Sequence, residues 1–227
     1  LSTIDTFQGF MSMEGEWQVL SDNTEGDLPF TTFEWYKMWW QSFSEQNTMC
    51  LLVVHADGHA GRKLVAALPL LARESAREFS RWAHTHSFRT GILCHREFGE
   101  ALDVLASHLA AGSSWRELLV PYLPADYAVH RQFVSSLRNM GLRVISTPGM
   151  QSPWLKVEGE FQEQMKTISR SRRESLTRKR RKLLDKSDGR VEITVGRVAD
   201  LEERLEQCWM ISSKTWKYRA GSSIASD

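Results

Sequence analysis

The sequence predicts a mixed α/β fold in two consecutive units, and three observations lead to this prediction. The apolar run MCLLVVHA at residues 49–56 is followed by the turn sequence DGHAG and by a second run, LVAALPLLA, as in a β-hairpin. Segments with helical periodicity alternate with further short apolar runs. A linker-like stretch, TPGMQSP at residues 147–153, interrupts this pattern, which then restarts.

The first unit is predicted from the periodicity of each segment and from the residues that end it. A short helix is expected at residues 14–20, and Thr32 is placed to cap a second helix, FEWYKMWWQSF, with Trp35, Trp39 and Phe43 on one apolar face. After the hairpin, the predicted strands are FSRWAH, FRTGILC, WRELLV and LRVIS, and the predicted helices are residues 101–111 and 126–140, each ending at a glycine.

The second unit is predicted to begin with the strand WLKVE, followed by a long helix over residues 161–184. The strand VEITV and a helix over residues 200–216 then follow. The domain boundary is placed after residue 148, which gives units of residues 1–148 and 149–227. The chain begins with Leu1 and ends in a loop-like GSSIASD, so we expect a fragment whose second unit is incomplete.

The composition is that of an ordinary soluble protein, with 41% hydrophobic and 25% charged residues. The net charge of +1 gives no general attraction to nucleic acid or to an anionic membrane. The charge is unevenly distributed, however: residues 166–190 hold eleven basic and three acidic side chains, whereas the rest of the chain has a net charge of −7. The basic charge is therefore concentrated in one predicted helix.

Three cysteines without a CxxC pair predict reduced thiols and a cytoplasmic location. No signal peptide is recognisable. The longest apolar run, at residues 64–72, is nine residues long and contains Pro69, whereas a membrane-spanning helix needs about 20 residues. We therefore expect no membrane span.

The basic segment SRSRRESLTRKRRKLL at residues 169–184 has three interpretations. It is a solvated helix face, a wall of a site for phosphate-bearing or acidic substrate groups, or a nucleic-acid contact. A basic zipper region is not predicted, because Gly189 follows within a few residues where heptads would have to continue. An apolar seam is predicted to pack the helix along one side, and it consists of Phe161, Met165, Ile168, Leu176 and Leu183.

Four residues in the first unit, His84, His86, Cys94 and His95, have types that bind metals. Because no second pair of ligands occurs at helical spacing, exposed or hydrogen-bonded histidines are favoured and no metal is predicted. The sequence also lacks the motifs of nucleophilic, nucleotide-binding and zinc-dependent enzymes. It therefore assigns no catalytic residue.

One loop has the order that a pyrophosphate site needs, namely a strand, a glycine-containing loop and a helix N-terminus. The candidate cofactor-binding residues of this loop are Arg96, Gly99 and Ala101. Glu97 and Glu100 lie in the same loop and would repel a diphosphate. An ordinary helix entry is therefore the favoured interpretation, and a phosphate cradle is the alternative.

Three segments taken together resemble the duplicated branch of the GNAT acyltransferase superfamily, the CelD-like and FemABX-like proteins. PFTTFEWYKMWWQSF and the following VAALPL are similar to the aromatic first helix and hairpin strand of that family. SRSRRESLTRKRRKLL is similar to the basic helix that opens the second repeat, and SKTWKYRAGSSI resembles the segment after the next helix.

This resemblance implies tandem GNAT-like domains with curved mixed sheets flanked by helices, the first degenerate and the second truncated here. It implies an N-acyltransferase that transfers an acyl group from acetyl-CoA or another acyl-CoA to an amine, and acetyl is the acyl group expected. The acceptor would be a small molecule, a polysaccharide precursor or a peptide, and no metal would be required. Family matching points to basic residues for substrate binding at Arg173, Arg178 and Arg181.

The alternative function is a non-catalytic module that binds a polyanion, such as RNA or an acidic glycan, with the basic helix at residues 166–186. If the partner is a nucleic acid, the resemblance implies transfer RNA, because some members of that family transfer aminoacyl groups. In the acyltransferase interpretation, a neutral amine attacks the thioester directly, so no covalent enzyme intermediate is needed.

Overall fold

A computed structural model of the chain describes residues 1–26, 28–44, 47–58, 61–73, 78–81, 91–112, 115–149, 151, 159–191 and 198–221. Over these residues the fold is mixed α/β, with helices and an open mixed sheet of six strands, which confirms the predicted class at this level. The chain divides into two compact units, Leu1–Gln151 and Ser152–Asp227. The described strands all lie in the first unit.

The sheet is built around one long hairpin. Its strands are β1 (Ser2–Ile4), β2 (Thr48–Gly58), β3 (Gly61–Arg73), β4 (Glu78–Arg81), β5 (Leu93–Cys94) and β6 (Glu117–Leu119). Their order is β1-β2-β3-β4-β6, with β5 paired to β3 beside β4. All pairs are antiparallel except β4 with β6. The predicted hairpin is therefore confirmed as β2 and β3.

Pro69 lies within β3, although a proline cannot donate a hydrogen bond to a neighbouring strand. Its position explains why the sheet accommodates it. On the edge of β3 that faces away from β2, β5 pairs with Ala66 and Ala67, and β4 pairs from Leu70 onward. Pro69 lies opposite Leu51 of β2, and on the other edge of β3 it falls between the residues that pair with β5 and those that pair with β4, among the described strands.

Helices cover both faces of the hairpin, so its neighbouring residues contribute to different cores. The helices of the first unit are α1 (Phe7–Met11), α2 (Glu14–Asp22), α3 (Phe33–Phe43), α4 (Ala101–Ala111) and α5 (Ala128–Asn139). Leu51 and Ala67 join a cluster with α1, α2 and α3, whereas Leu52 and Ala66 join one with α4 and α5. Burial on both faces explains why β2 reads as a continuous apolar run.

The cluster on the first face is aromatic. Trp17 is fully buried, its ring lies edge-on to Phe10 and Tyr36 at centroid distances of 5.3 and 5.2 Å, and its Nε1–H donates to the carbonyl of Thr31 at 2.9 Å. The residues of α3 buried in this cluster are Phe33, Tyr36 and Trp39, and Trp35 and Trp40 pack against it while partly buried. Of the predicted apolar face, Trp35 and Trp39 therefore contact the cluster, whereas Phe43 is 40% exposed.

The cluster on the second face contains α4 and α5, which are linked by polar contacts. The Ser136 hydroxyl donates to Asp103 Oδ1 at 2.5 Å, from α5 to α4. At the N-terminus of α5, Glu25 Oε2 accepts the backbone N–H groups of Ala128 and Val129 at 2.8 and 3.3 Å. A carboxylate from a distant loop thus satisfies N–H groups that the helix itself leaves unpaired.

Several predictions for the first unit need correction. The segment LRVIS at residues 142–146 is not a strand, since it pairs with no described strand and Ile145 is exposed. The short elements β1 and α1 had no clear sequence signal and were missed. The predicted strands FSRWAH and FRTGILC correspond to β4 and β5, and residues 82–90, including His84 and His86, lie outside the described residues.

The second unit contains α6 (Phe161–Thr167), α7 (Arg170–Lys186), α8 (Leu201–Ser213) and α9 (Trp216–Arg219) among its described residues. The prediction of one helix over residues 161–184 was wrong, because Ile168 is extended (φ −85°, ψ 140°) and separates α6 from α7. The predicted strand at residues 154–158, and all but Val191 of the strand at 191–195, lie outside the described residues. None of the helices that the structure describes is both long and apolar enough to cross a membrane.

Candidate functional site

The loop between β5 and α4 has the predicted order of strand, glycine-containing loop and helix. Its first helical N–H groups are already bonded: Ala101 donates to the Phe98 carbonyl at 2.9 Å, and Leu102 to the Gly99 carbonyl at 3.1 Å. Asp103 N–H donates to the carbonyl of Glu100 at 3.0 Å. A bound phosphate would need such groups to be free. In this conformation they hold the loop itself together.

The three candidate cofactor residues lie together in this loop and contact the protein. The Arg96 guanidinium donates to the Thr24 carbonyl at 3.4 Å, and Ala101 is buried. Gln132 on α5 donates to the Gly99 carbonyl at 3.0 Å, and a Cβ atom at Gly99 would lie 2.9 Å from the amide nitrogen of Gln132. The close approach of α5 accounts for the glycine, which supports the interpretation as an ordinary helix entry.

Beside this loop, two basic side chains meet in a way that the sequence did not reveal. Lys63 Nζ on β3 lies 2.8 Å from Nε2 of the buried His95 and 5.7 Å from the ring centroid of Phe98. The Glu97 N–H donates to Nδ1 of His95 at 3.2 Å. The pairing of β3 with β5 brings Lys63 and His95 together, and no local motif marks this pairing. Within the described residues, His95 belongs to no group of three or more metal-ligating side chains.

A second buried histidine, His130 on α5, was also missed. Its Nδ1 lies 2.9 Å from the Pro124 carbonyl, and its Nε2 accepts the Ile92 N–H at 3.3 Å. These two contacts fix the neutral tautomer with the proton on Nδ1. His130 therefore anchors α5 to the strand end rather than facing a ligand.

The cysteines differ in their environments. Burial raises the pKa of the Cys94 thiol to about 12, with a smaller contribution from Glu100. Burial likewise raises the pKa of Cys50 to about 11, with a smaller contribution from Asp5. Cys208 on α8 is exposed. Because the thiolate is the nucleophilic form, Cys50 and Cys94 are unsuited to nucleophilic catalysis.

We expect one fast and two slow thiols when the native protein reacts with dithionitrobenzoate at mild alkaline pH. Cys208 should react at once, and Cys50 and Cys94 only as the protein unfolds. Three equally fast thiols in the native protein would contradict this assignment, and Cys208→Ser should remove only the fast phase.

Because Cys50 and Cys94 in the folded protein keep their protons at pH values above the ordinary thiol pKa of 9.0, the free energy of unfolding should fall as the pH rises from about 9.

Helix α7 carries nine basic and two acidic side chains in 17 residues. One ion pair joins Arg170 Nε to Glu174 at 2.8 Å, and both side chains are exposed. In the part of the chain that the structure describes, most of the remaining basic side chains of α7 have no hydrogen-bond or ion-pair partner: Arg172, Arg178, Lys179, Arg180, Arg181, Lys182 and Lys186. Such an excess of unpaired charge of one sign favours an anionic partner.

Arg173 differs from the other two predicted substrate-binding residues. Its Nη1 donates to the carbonyls of Met165, Lys166 and Ile168 at 3.2, 3.1 and 2.7 Å, so it caps the end of α6 and stabilises the break before α7. Arg178 and Arg181 lie on α7 with exposed side chains. Arg178 and Arg181 are thus available to a ligand, three residues apart on α7, whereas the half-buried Arg173 is bonded to carbonyls of the protein itself.

The helical period of 100° per residue sorts the charges of α7 into separate faces. One face, here called the cationic face, contains basic residues and serines only, and its five basic residues are Arg172, Arg178, Lys179, Lys182 and Lys186. The adjacent mixed face carries both signs, with Arg170, Glu174, Arg181 and Asp185. The predicted apolar seam is not a buried surface, because Phe161, Leu176 and Leu183 are 70%, 39% and 55% exposed.

The geometry therefore offers two candidate regions, one in each unit: the closed loop before α4 and the exposed cationic face of α7. Comparison of the chain with protein-family models, with curated proteins and with solved structures finds no match.

Proposed function

We propose that the protein is a GNAT-type N-acyltransferase with tandem GNAT-like domains. The enzyme transfers an acyl group, acetyl first of all, from acyl-CoA to an amine of a small-molecule, polysaccharide-precursor or peptide acceptor in the cytoplasm. The proposal is carried by the three segments that resemble the family, and the order of β5, the glycine-containing loop and α4 in the first unit agrees with it in the sequence of elements alone.

The reaction needs no metal or redox partner. The neutral amine nitrogen of the acceptor attacks the thioester carbonyl carbon, a carbon–nitrogen bond forms and the carbon–sulfur bond breaks. The amine loses one proton to a carboxylate or a water, and the CoA sulfur leaves and takes up a proton. Backbone N–H groups would stabilise the carbonyl oxygen as it becomes negative. On α7, Arg178 and Arg181 would orient acidic groups of the acceptor.

Binding of acetyl-CoA to the purified full-length protein, measured by isothermal titration calorimetry, tests the proposal. Saturable binding of one equivalent and amine-dependent release of the CoA thiol are expected. If Arg96 in the loop before α4 holds the diphosphate, Arg96→Ala should raise the Kd about tenfold, in line with the loss of one charge-assisted contact. An unchanged Kd in that variant would move the donor site elsewhere, and the absence of binding by any acyl-CoA would overturn the proposal.

A second function, polyanion binding without catalysis, is favoured by one specific observation. The unpaired basic side chains of α7 outnumber its acidic ones several times, and they are exposed. Binding through such charges releases counterions, so the affinity for heparin or RNA should fall steeply between about 50 and about 200 mM salt. Affinity that does not depend on salt, or no affinity for any polyanion, would exclude this function.

A further inference from the structure

We infer that the cationic face of α7 binds the phosphate backbone of double-stranded DNA, an inference that rests on the second proposed function. The net charge of the whole chain, +1, does not indicate this surface, because the charges of the two units largely cancel. Residues 152–227 carry seventeen basic and twelve acidic side chains, whereas residues 1–151 carry twelve and sixteen. A polyanion is therefore attracted to the second unit and repelled by the first.

The cationic face matches a linear array of phosphates rather than a single one. Arg178, Lys182 and Lys186 follow one another at intervals of four residues, which is about 6 Å along a helix axis. From Arg172 to Lys186 the face extends over about 21 Å. An isolated phosphate would engage two or three of these side chains, whereas a charged strand engages the whole row. Arginine and lysine side chains are the usual donors to phosphate oxygens in nucleic-acid complexes.

Other features of α7 favour duplex DNA over other polyanions. The helix contains no aromatic residue on which unpaired bases could stack, which single-strand binding sites commonly use. A helix about 10–12 Å wide fits the major groove of B-form DNA, about 12 Å wide, whereas the major groove of A-form RNA is too narrow. A membrane-surface helix would need a continuous apolar face, and α7 offers only Leu176, Leu183 and Leu184.

The test compares two charge-matched variants of the full chain for binding to a fluorescently labelled DNA duplex of about 20 base pairs. The first variant, Arg178→Gln with Lys182→Gln, removes two charges from the cationic face. The control, Arg170→Gln with Arg180→Gln, removes two charges from outside that face of the same helix. Glutamine is a good helix former, so both variants should keep α7, and circular dichroism would confirm this.

For five phosphate contacts, the logarithm of the binding constant should fall with the logarithm of salt concentration with a slope of about −4.5. The first variant should reduce the slope to about −2.7 and weaken binding at physiological salt by about 30-fold. The control should keep the slope and stay within about threefold of the unaltered protein.

Each other result has a defined meaning. If the control loses as much affinity as the first variant, the charges act without a preferred face and the inference fails while polyanion binding stands. If duplex RNA, heparin or vesicles of anionic lipid bind more tightly than DNA at the same salt, DNA is the wrong partner. If none of these polyanions binds, the second proposed function fails together with the inference.

Discussion

Trp17→Ala should lower the free energy of unfolding of the first unit by about 3–5 kcal/mol. The side chain is fully buried between the rings of Phe10 and Tyr36, so its loss leaves a large cavity in the aromatic cluster. It also removes the donor to the Thr31 carbonyl. Thr31 is buried, so the loss of this hydrogen bond adds to the cost. Urea denaturation followed by circular dichroism measures the change.

Trp209 on α8 supplies the matched control for this experiment, because 50% of its surface is exposed. Trp209→Ala removes the same number of atoms and should change the free energy of unfolding of the first unit by less than about 0.5 kcal/mol. Equal losses for Trp17→Ala and Trp209→Ala would mean that the aromatic cluster is not the core of the first unit.

Phe133→Ala should produce a loss of similar size, about 3–5 kcal/mol, through the opposite face of the sheet. Phe133 on α5 is buried against α4 and the hairpin, in a cluster that shares no residue with the cluster around Trp17. The same denaturation experiment measures the effect, with Phe161→Ala, 70% exposed on α6, as the control. A loss below about 1 kcal/mol for Phe133→Ala would show that α5 does not pack on the sheet.

The parts of the fold that the sequence predicted well are those with a local physical signal. The hairpin of β2 and β3 has two apolar runs joined by a glycine-rich turn, and α4 begins and ends where periodicity and Gly112 place it. The break at Ile168 had no such signal, because it depends on the contact of Arg173 with the end of α6. The segment at residues 142–146 has β-forming residues, but a strand also needs a partner, which local sequence does not provide.

In the candidate sites too, features that depend on local sequence were predicted, and contacts between distant parts of the chain were not. The basic excess of α7 is visible in the sequence, and the helical period is enough to separate its cationic face from its mixed face. The closure of the loop before α4 depends on Gln132, and the neighbour of His95 is Lys63, each more than 30 residues away in the chain. Contacts between residues so far apart in the chain are not predicted by the composition of the loop.

Leu51 and Leu52 are neighbours in β2, but they belong to two separate cores, so substitutions at the two positions must fit different helices. A substitution at Leu51 must suit the helices α1, α2 and α3, whereas one at Leu52 must suit α4 and α5. A one-residue shift in pairing would exchange the two sets of side chains and mismatch both cores at once. Point substitutions in the hairpin can therefore be compensated on one face at a time, whereas an insertion or deletion disturbs both faces unless a bulge absorbs it, as the register shift between Val54 and His55 does for one residue of β3.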